Sequence, residues 1–309
     1  MLRPTLRWTL VLITALTASC ASTGGSGGGE LPATDLGPIP TGEVLTWREM
    51  AMGEYLTELD GRMGRWFALK ARTDPDSVRL RDVLETEIRR FVSVRPGDLV
   101  HELTAGPPRN RMIAAAGLGF SDDEAALGAL IAALDDPDQD VEHQALLGLG
   151  LLADPDTPVD PLLERLRGST EGLARNNAAY AVFRLVRADV RDEELATALR
   201  LALLDDEPSV RAQAAAALGV MADPDSIDAL SGLLDDELDF VYVAAVRSLI
   251  EIAREDLTKR GAVARALVGA WESADGGRRT RLRRDLTSMA GVDYGERAED
   301  WQRWSLGLP

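Results

Sequence analysis

The sequence has few of the residues that catalytic and metal sites need. Its 309 residues include one cysteine, Cys20, and two histidines, His101 and His143. One cysteine excludes an intrachain disulfide, and two histidines leave no plausible Ser-His-Asp or Cys-His set for nucleophilic catalysis. A metal site needs several converging ligands. We therefore predict no catalytic, cofactor-binding or metal-binding residues, and we do not expect an enzyme.

Aromatic and basic residues are also scarce. Aromatics make up 5% of the chain, and 34 basic residues face 51 acidic ones, for a net charge of −17. Nucleic-acid binding is not expected, because its affinity comes largely from Lys and Arg. One basic cluster stands out, the five arginines within 278–284. They form either a solvated helix face that pairs with nearby acids or a docking site for an anionic partner.

Long hydrophobic runs are missing. The apolar segment from Trp8 to Leu16 has about half of the roughly 20 residues that span a bilayer. It follows two basic residues, Arg3 and Arg7, and precedes the small residues of 17–19. This order is typical of a signal peptide and not of a transmembrane helix.

The segment Leu16-Thr17-Ala18-Ser19-Cys20 resembles the lipobox of bacterial lipoproteins. The resemblance implies that residues 1–19 are a signal peptide and that Cys20 is acylated. Residues 20–42 would then be the lipidated cysteine and a flexible Gly/Ser/Pro tether. Ala21 is not the aspartate that usually retains lipoproteins in the inner membrane, so we expect the outer membrane, facing the periplasm. The alternative is an ordinary secretory signal cut nearby.

An alanine recurs along the body of the chain at intervals of 31 to 36 residues. The alanines are Ala114, Ala145, Ala178, Ala214 and Ala245. Apolar residues stand four positions before and after most of them, a spacing that predicts one buried face of a helix. A second set of helices is predicted between them, at 124–134, 158–166, 192–204 and 226–234. Acidic turns with proline join the two sets, because proline ends one helix and Asp or Ser caps the next.

The repeat from Asp205 through Val210 and Gly219 to Asp236 resembles the HEAT family, in the variant found in bilin lyases. The resemblance implies an all-α, right-handed α-solenoid of HEAT-type helix pairs. We predict an N-terminal helical cap and degenerate repeat at 43–108 and HEAT repeats at 109–254. A C-terminal degenerate repeat with a Trp-containing cap is predicted at 255–309.

The two histidines allow one comparison with an enzyme. His101 and Glu102 are similar to the His-Glu pairs that bind two irons in the HEAT-repeat enzyme deoxyhypusine hydroxylase. That family needs several such pairs on successive repeats, and this sequence has one. We therefore interpret both histidines as surface or capping residues.

The predicted function is a membrane-anchored HEAT-repeat scaffold or adaptor that binds a protein partner at the cell envelope. The alternative is a cofactor lyase or chaperone-like factor of the bilin-lyase type. In HEAT folds the second helix of each pair lines the concave side. Polar residues at equivalent positions there, Arg175, Asn177, Arg211 and Gln213, are the candidate partner-binding residues. They could instead bond the Asp turns of neighbouring repeats.

Overall fold

The structure of the chain is a computed structural model that describes residues 41–70 and 72–309. The predicted signal peptide, Cys20 and nearly all of the predicted tether lie outside these residues. The chain divides into two compact units, an N-terminal unit that ends at Ala188 and a C-terminal unit that begins at Asp189.

The described part of the N-terminal unit contains nine α-helices. They are α1 (Thr41–Glu49), α2 (Met52–Leu69), α3 (Pro75–Val92), α4 (Pro96–Ala105), α5 (Pro108–Leu118), α6 (Ala125–Ala132), α7 (Gln139–Leu152), α8 (Asp160–Gly168) and α9 (Gly172–Arg187). A 3₁₀ turn at Ala133–Asp135 extends α6. Helix α1 begins at Thr41, within the last two residues of the range predicted as the tether.

The C-terminal unit contains seven α-helices. They are α10 (Glu193–Ala202), α11 (Pro208–Met221), α12 (Ile227–Gly232), α13 (Asp239–Glu255), α14 (Arg260–Ser273), α15 (Gly276–Ala290) and α16 (Ala298–Leu306). Short 3₁₀ turns flank α12 and precede α14. No strand occurs in 41–70 or 72–309, and the all-α prediction is confirmed. Within the same ranges, every helix is too short or too polar to cross a membrane.

The helices pack as pairs whose second members lie side by side. In the N-terminal unit, α4 packs on α5, α6 on α7 and α8 on α9. Helices α5, α7 and α9, which we call second helices, also contact their neighbours in that order, and α2 packs on α5. In the C-terminal unit, the second helices α11 and α13 contact each other in the same way. This is the solenoid packing that the repeat period predicts.

The recurring alanines form the centre of these contacts. All five, from Ala114 to Ala245, have no exposed surface. Glycines allow an even closer approach at two crossings. A Cβ on Gly148 of α7 would lie 2.5 Å from the carbonyl oxygen of Ala115 in α5, and one on Gly219 of α11 would lie 2.7 Å from the Cα of Ser248 in α13. The small residues therefore set the spacing between second helices.

The acidic turns cap the helices that follow them. The carboxylate of Asp138 accepts a hydrogen bond from the backbone N–H of Asp140 at the start of α7 (3.0 Å). Asp192 accepts from Glu194 at the start of α10 (2.7 Å). Pro208 is the first residue of α11, where its missing N–H removes no helical hydrogen bond. The predicted capping is confirmed at these turns.

Tryptophans fill the end of the C-terminal unit. Trp271 of α14 and Trp301 of α16 have no exposed surface, and their ring centroids lie 6.3 Å apart. The indole N–H of Trp301 donates a hydrogen bond to the carbonyl of Gly295 (3.0 Å). Tyr294 packs edge-on against Trp301 at 5.1 Å. These side chains bury a large apolar area beyond the last strong repeat.

Candidate ligand-binding site

Two of the four predicted partner-binding residues are buried. The side chain of Asn177 on α9 is 2% exposed and that of Gln213 on α11 is 3% exposed. The Asn177 amide donates a hydrogen bond to the backbone carbonyl of His143 on the neighbouring second helix (3.0 Å). The expectation that these two residues lie exposed on the binding surface is therefore wrong. They precede the central alanines by one position and share the buried arc of the helix.

Arg211 holds two turns together. Its guanidinium lies 2.7 Å from a carboxylate oxygen of Asp236, in the turn that leads into the next second helix, and donates to the carbonyl of Asp205 at 2.9 Å. Arg111 does the same with Asp136, through two hydrogen bonds of 2.8 Å, and with the carbonyl of Gly106 at 3.0 Å. We call this arrangement the turn clasp. These contacts favour, for Arg211, the alternative interpretation in which the polar residues bond the Asp turns of neighbouring repeats.

The turn clasp varies along the N-terminal unit. The hydrogen bonds from Arg111 lower the pKa of Asp136 below its ordinary value, despite partial burial. In the following repeat the equivalent position is acidic, Glu142, and Arg165 of α8 reaches it at 3.3 Å. Arg175, at the same position on α9, donates to the carbonyls of Ser169 (3.1 Å) and Thr170 (3.4 Å) in the preceding turn.

The histidines take different places in the N-terminal unit. His101 is exposed on α4. His143 on α7 is 8% exposed, and neither of its ring nitrogens has a hydrogen-bond partner. The interpretation as a surface or capping residue is therefore wrong for His143. No three His, Cys, Asp or Glu residues within 41–70 and 72–309 converge as metal ligands would.

The arginine cluster at 278–284 pairs with acids. Salt bridges join Arg278 to Asp239 (2.9 Å), Arg283 to Asp293 (2.8 Å) and Arg284 to Asp285 (3.5 Å). Arg279 stacks over the ring of Trp271, 4.0 Å from its centroid. These contacts favour a helix face that pairs with nearby acids over an anionic docking site.

A site that the sequence did not reveal lies between α2 and α9. The Lys70 ammonium lies 2.9 Å from the phenol oxygen of Tyr180, and the Arg184 guanidinium lies 2.8 Å from the same oxygen. Trp66 and Phe67 flank Lys70, whose ammonium is 5.0 and 5.9 Å from their ring centroids. We call these five residues the Tyr180 site.

Local structure explains how these side chains meet. Lys70 directly follows α2, and Trp66 and Phe67 occupy the last turn of that helix. Tyr180 and Arg184 are four residues apart, so they share one face of α9. The Tyr180 ring lies against Gly150 of α7, where a Cβ would be 2.6 Å from a ring carbon. Any larger residue at Gly150 would displace the tyrosine.

The Tyr180 site has a strong positive potential. Burial alone would raise the pKa of the Tyr180 phenol, but the charges of Lys70 and Arg184 outweigh it and lower the pKa below its ordinary value. Tyr180 is 6% exposed, whereas Lys70 and Arg184 are half-buried and reach solvent.

An apolar depression adjoins this site. Most of its lining is apolar, including Met63 and Phe67 of α2 and Met112 of α5, and its polar members are Asp60 of α2 and Gln144 of α7. The depression is open to solvent, and its volume is about 30 Å³, enough for about two water molecules. A substrate-sized cavity needs roughly ten times that volume or more. The depression is therefore large enough only for the tip of a side chain or a few waters.

The paired helices and the rows of second helices define a helical-repeat protein. Residues 98–183 and 185–251 match the family of HEAT repeats. The chain therefore contains HEAT repeats, and the repeat prediction is confirmed.

Several solved structures align with two thirds or more of this chain. An engineered protein is 19% identical, with a TM-score of 0.48 over 86% of this chain and 77% of its own. The complex of CpcE and CpcF of phycocyanin lyase from Nostoc sp. PCC7120 is 21% identical, with a TM-score of 0.45 over 67% and 84%. Human deoxyhypusine hydroxylase in complex with glycerol is 22% identical, with a TM-score of 0.35 over 81% and 99%. At these identities and TM-scores, the alignments support no conclusion about what this chain binds or does. No curated protein sequence matches the chain.

Proposed function

We propose that this protein is a membrane-anchored HEAT-repeat scaffold, and not an enzyme, that binds a protein partner at the cell envelope. The observation that carries the proposal is the surface of α2, α5, α7 and α9. There the half-buried cations Lys70 and Arg184 lie over largely buried aromatic rings, next to a depression too small to enclose a substrate. Aromatic and Arg side chains are the ones that most often dominate protein interfaces.

A photo-crosslinking amino acid placed on this surface tests partner binding. Gln144 on the second helix α7 is the test position, because its side chain lines the depression. Ala132, exposed on the first helix α6, is the matched control. We expect irradiation of native membranes to give one discrete crosslinked polypeptide from position 144 and none from position 132.

Two results would contradict the scaffold. Crosslinking could fail at both positions, or give the same products from both. Purification of the parent could also yield a coloured or other small ligand bound to the chain. That second result would favour the alternative of a cofactor lyase or chaperone-like factor.

The anchor is the second part of the proposal. We propose that Cys20 carries the lipid, that residues 20–42 tether the helical units, and that the destination is the outer membrane, facing the periplasm. The support is the short apolar segment, followed by small residues and the single cysteine. Two acyl groups would give stable anchoring, because one chain alone binds a bilayer only reversibly.

Replacement of the cysteine tests the anchor. We expect Cys20→Ala to abolish labelling by a fatty-acid probe and to release the protein from membranes or stall its processing. Ser26→Ala, within the same glycine-rich segment, should leave both properties unchanged. A parent protein that takes up no probe, and a Cys20→Ala variant that stays on the membrane fully processed, would refute lipidation at this residue.

A further inference from the structure

We infer that the Tyr180 site binds a carboxylate from an acidic peptide segment that carries an apolar residue beside the acid. The inference rests on the proposed function and identifies the chemistry that the partner presents. The first argument is the count of hydrogen bonds. Lys and Arg side chains have donors and no acceptors, and both Lys70 and Arg184 donate to the Tyr180 oxygen. They use both lone pairs of that oxygen.

The phenol hydrogen is left without an acceptor in the described part of the chain. The ammonium and the guanidinium thus lie 2.9 and 2.8 Å from a phenol oxygen that is itself a donor. An oxyanion beside the phenol would accept its O–H and N–H groups of Lys70 and Arg184 that do not bond Tyr180. Hydrogen bonds of this charge-assisted kind are about twice as strong as those between neutral groups.

The second argument is charge balance. Elsewhere in this acidic protein, the half-buried arginines of the turn clasp pair with carboxylates. Across residues 41–70 and 72–309, no carboxylate oxygen lies within 4.0 Å of the side-chain nitrogens of Lys70 or Arg184. Two positive charges thus share one neutral oxygen, and an external anion would relieve their repulsion.

The third argument distinguishes a carboxylate from a phosphate. The rings of Trp66 and Phe67 adjoin the donors, with centroids 5.0 and 5.9 Å from the Lys70 ammonium. Aromatic faces carry partial negative charge and do not solvate anionic oxygens. A carboxylate can direct both oxygens to the donors and its apolar substituent to the rings, whereas a phosphate exposes oxygens on all sides. The depression beside Phe67 then receives the neighbouring apolar residue.

Calorimetric titration of the full-length protein in detergent tests the inference. The probe is the tripeptide Leu-Asp-Leu, acetylated and amidated, and its isosteric control is Leu-Asn-Leu with the same end groups. We expect the parent to bind the Asp peptide at least about tenfold more tightly. Inorganic phosphate should compete weakly. The tyrosinate absorbance of Tyr180, obtained as parent minus Tyr180→Phe, should shift to higher pH when the Asp peptide binds.

Three variants locate the effect. Tyr180→Phe keeps the ring and removes the phenol donor, and Arg184→Gln removes one cation. Both should bring the Asp-to-Asn preference close to one. Arg79→Gln, at a side chain 75% exposed on α3, removes the same charge away from the site and should leave the preference unchanged. If Tyr180→Phe fails to fold, Arg184→Gln and Lys70→Gln carry the test.

The outcomes separate this inference from the scaffold proposal. A preference that survives Tyr180→Phe or Arg184→Gln would overturn the inference, as would phosphate that binds more tightly than the Asp peptide. So would equal binding of the two peptides to the parent, even where position 144 captures a polypeptide. Conversely, a carboxylate preference without any crosslinked polypeptide would leave the carboxylate site standing and contradict the scaffold.

Discussion

Gly148 offers a direct test of how closely the second helices pack. It lies in α7 where this helix crosses α5, and a Cβ there would lie 2.5 Å from the backbone oxygen of Ala115 and 2.9 Å from a methyl of Leu130. Ordinary contacts of this kind begin at about 3.4 Å. Because the closest atom belongs to a helix backbone, Gly148→Ala can be accommodated only if α5 and α7 separate.

The cost can be estimated against a matched control. Gly128 lies inside α6, and a Cβ added there would have no neighbour within 4 Å, so Gly128→Ala gains only helix propensity, about 1 kcal/mol. Gly148→Ala gains the same propensity and adds overpacking, which costs about 1–3 kcal/mol. The propensity terms cancel in the comparison. The two variants should therefore differ by about 1–3 kcal/mol, or roughly 2–10 °C in the melting temperature of the N-terminal unit.

Thermal unfolding followed by far-UV circular dichroism measures this difference. We expect Gly128→Ala to melt at or above the parent and Gly148→Ala to melt below Gly128→Ala by the stated margin. Equal melting temperatures for the two variants would refute the argument, because they would show that α5 and α7 can separate at no cost.

Two aspartates should respond to pH in opposite directions. Because Arg111 lowers the pKa of Asp136, ionised Asp136 stabilises the fold above its unfolded pKa of about 3.9, and this contribution is lost as pH falls through the folded pKa. Asp136→Asn should therefore melt below the parent near neutral pH, and the difference should close in acid. Burial raises the pKa of Asp285, so its contribution is complete below the unfolded pKa and is lost as pH rises through the folded pKa. Asp285→Asn should melt above the parent near neutral pH, and melting curves recorded across pH would contradict this reasoning if both variants changed in the same direction.

The sequence predicted the parts of the fold that repeat. Ala114 and its four equivalents, the acidic turns and the first prolines of helices recur at one period, so each repeat supports the interpretation of the others. Local rules of capping and helical spacing then place the helices to within a few residues. The exposure of Asn177 and Gln213 could not be predicted in the same way. A second helix packs against another helix on each side. It therefore buries residues over a wider arc than the one apolar face that the repeat spacing predicts.

The Tyr180 site was missed because it does not repeat. Lys70 and Tyr180 are separated by 110 residues, and α2 carries none of the repeat motif that would place it beside α9. One signal was available. Lys70 is one of two lysines in the chain, and it follows the aromatic pair Trp66-Phe67 closely. Composition makes such a residue conspicuous, but only the packed structure shows what it faces.

The turn clasp has a consequence for the order of the repeats. Arg111 meets Asp136, whereas Glu142 in the next repeat meets Arg165, so the charges are reversed between adjacent joints. A second helix with an arginine at this position therefore pairs with a carboxylate, whereas one with a glutamate pairs with an arginine. If the segment that carries Arg165 were moved to follow Arg211, two guanidinium groups would meet where Asp236 now lies. The repeats of this chain are therefore not interchangeable. A variant with shuffled or duplicated repeats must keep opposite charges wherever two repeats meet through such an ion pair.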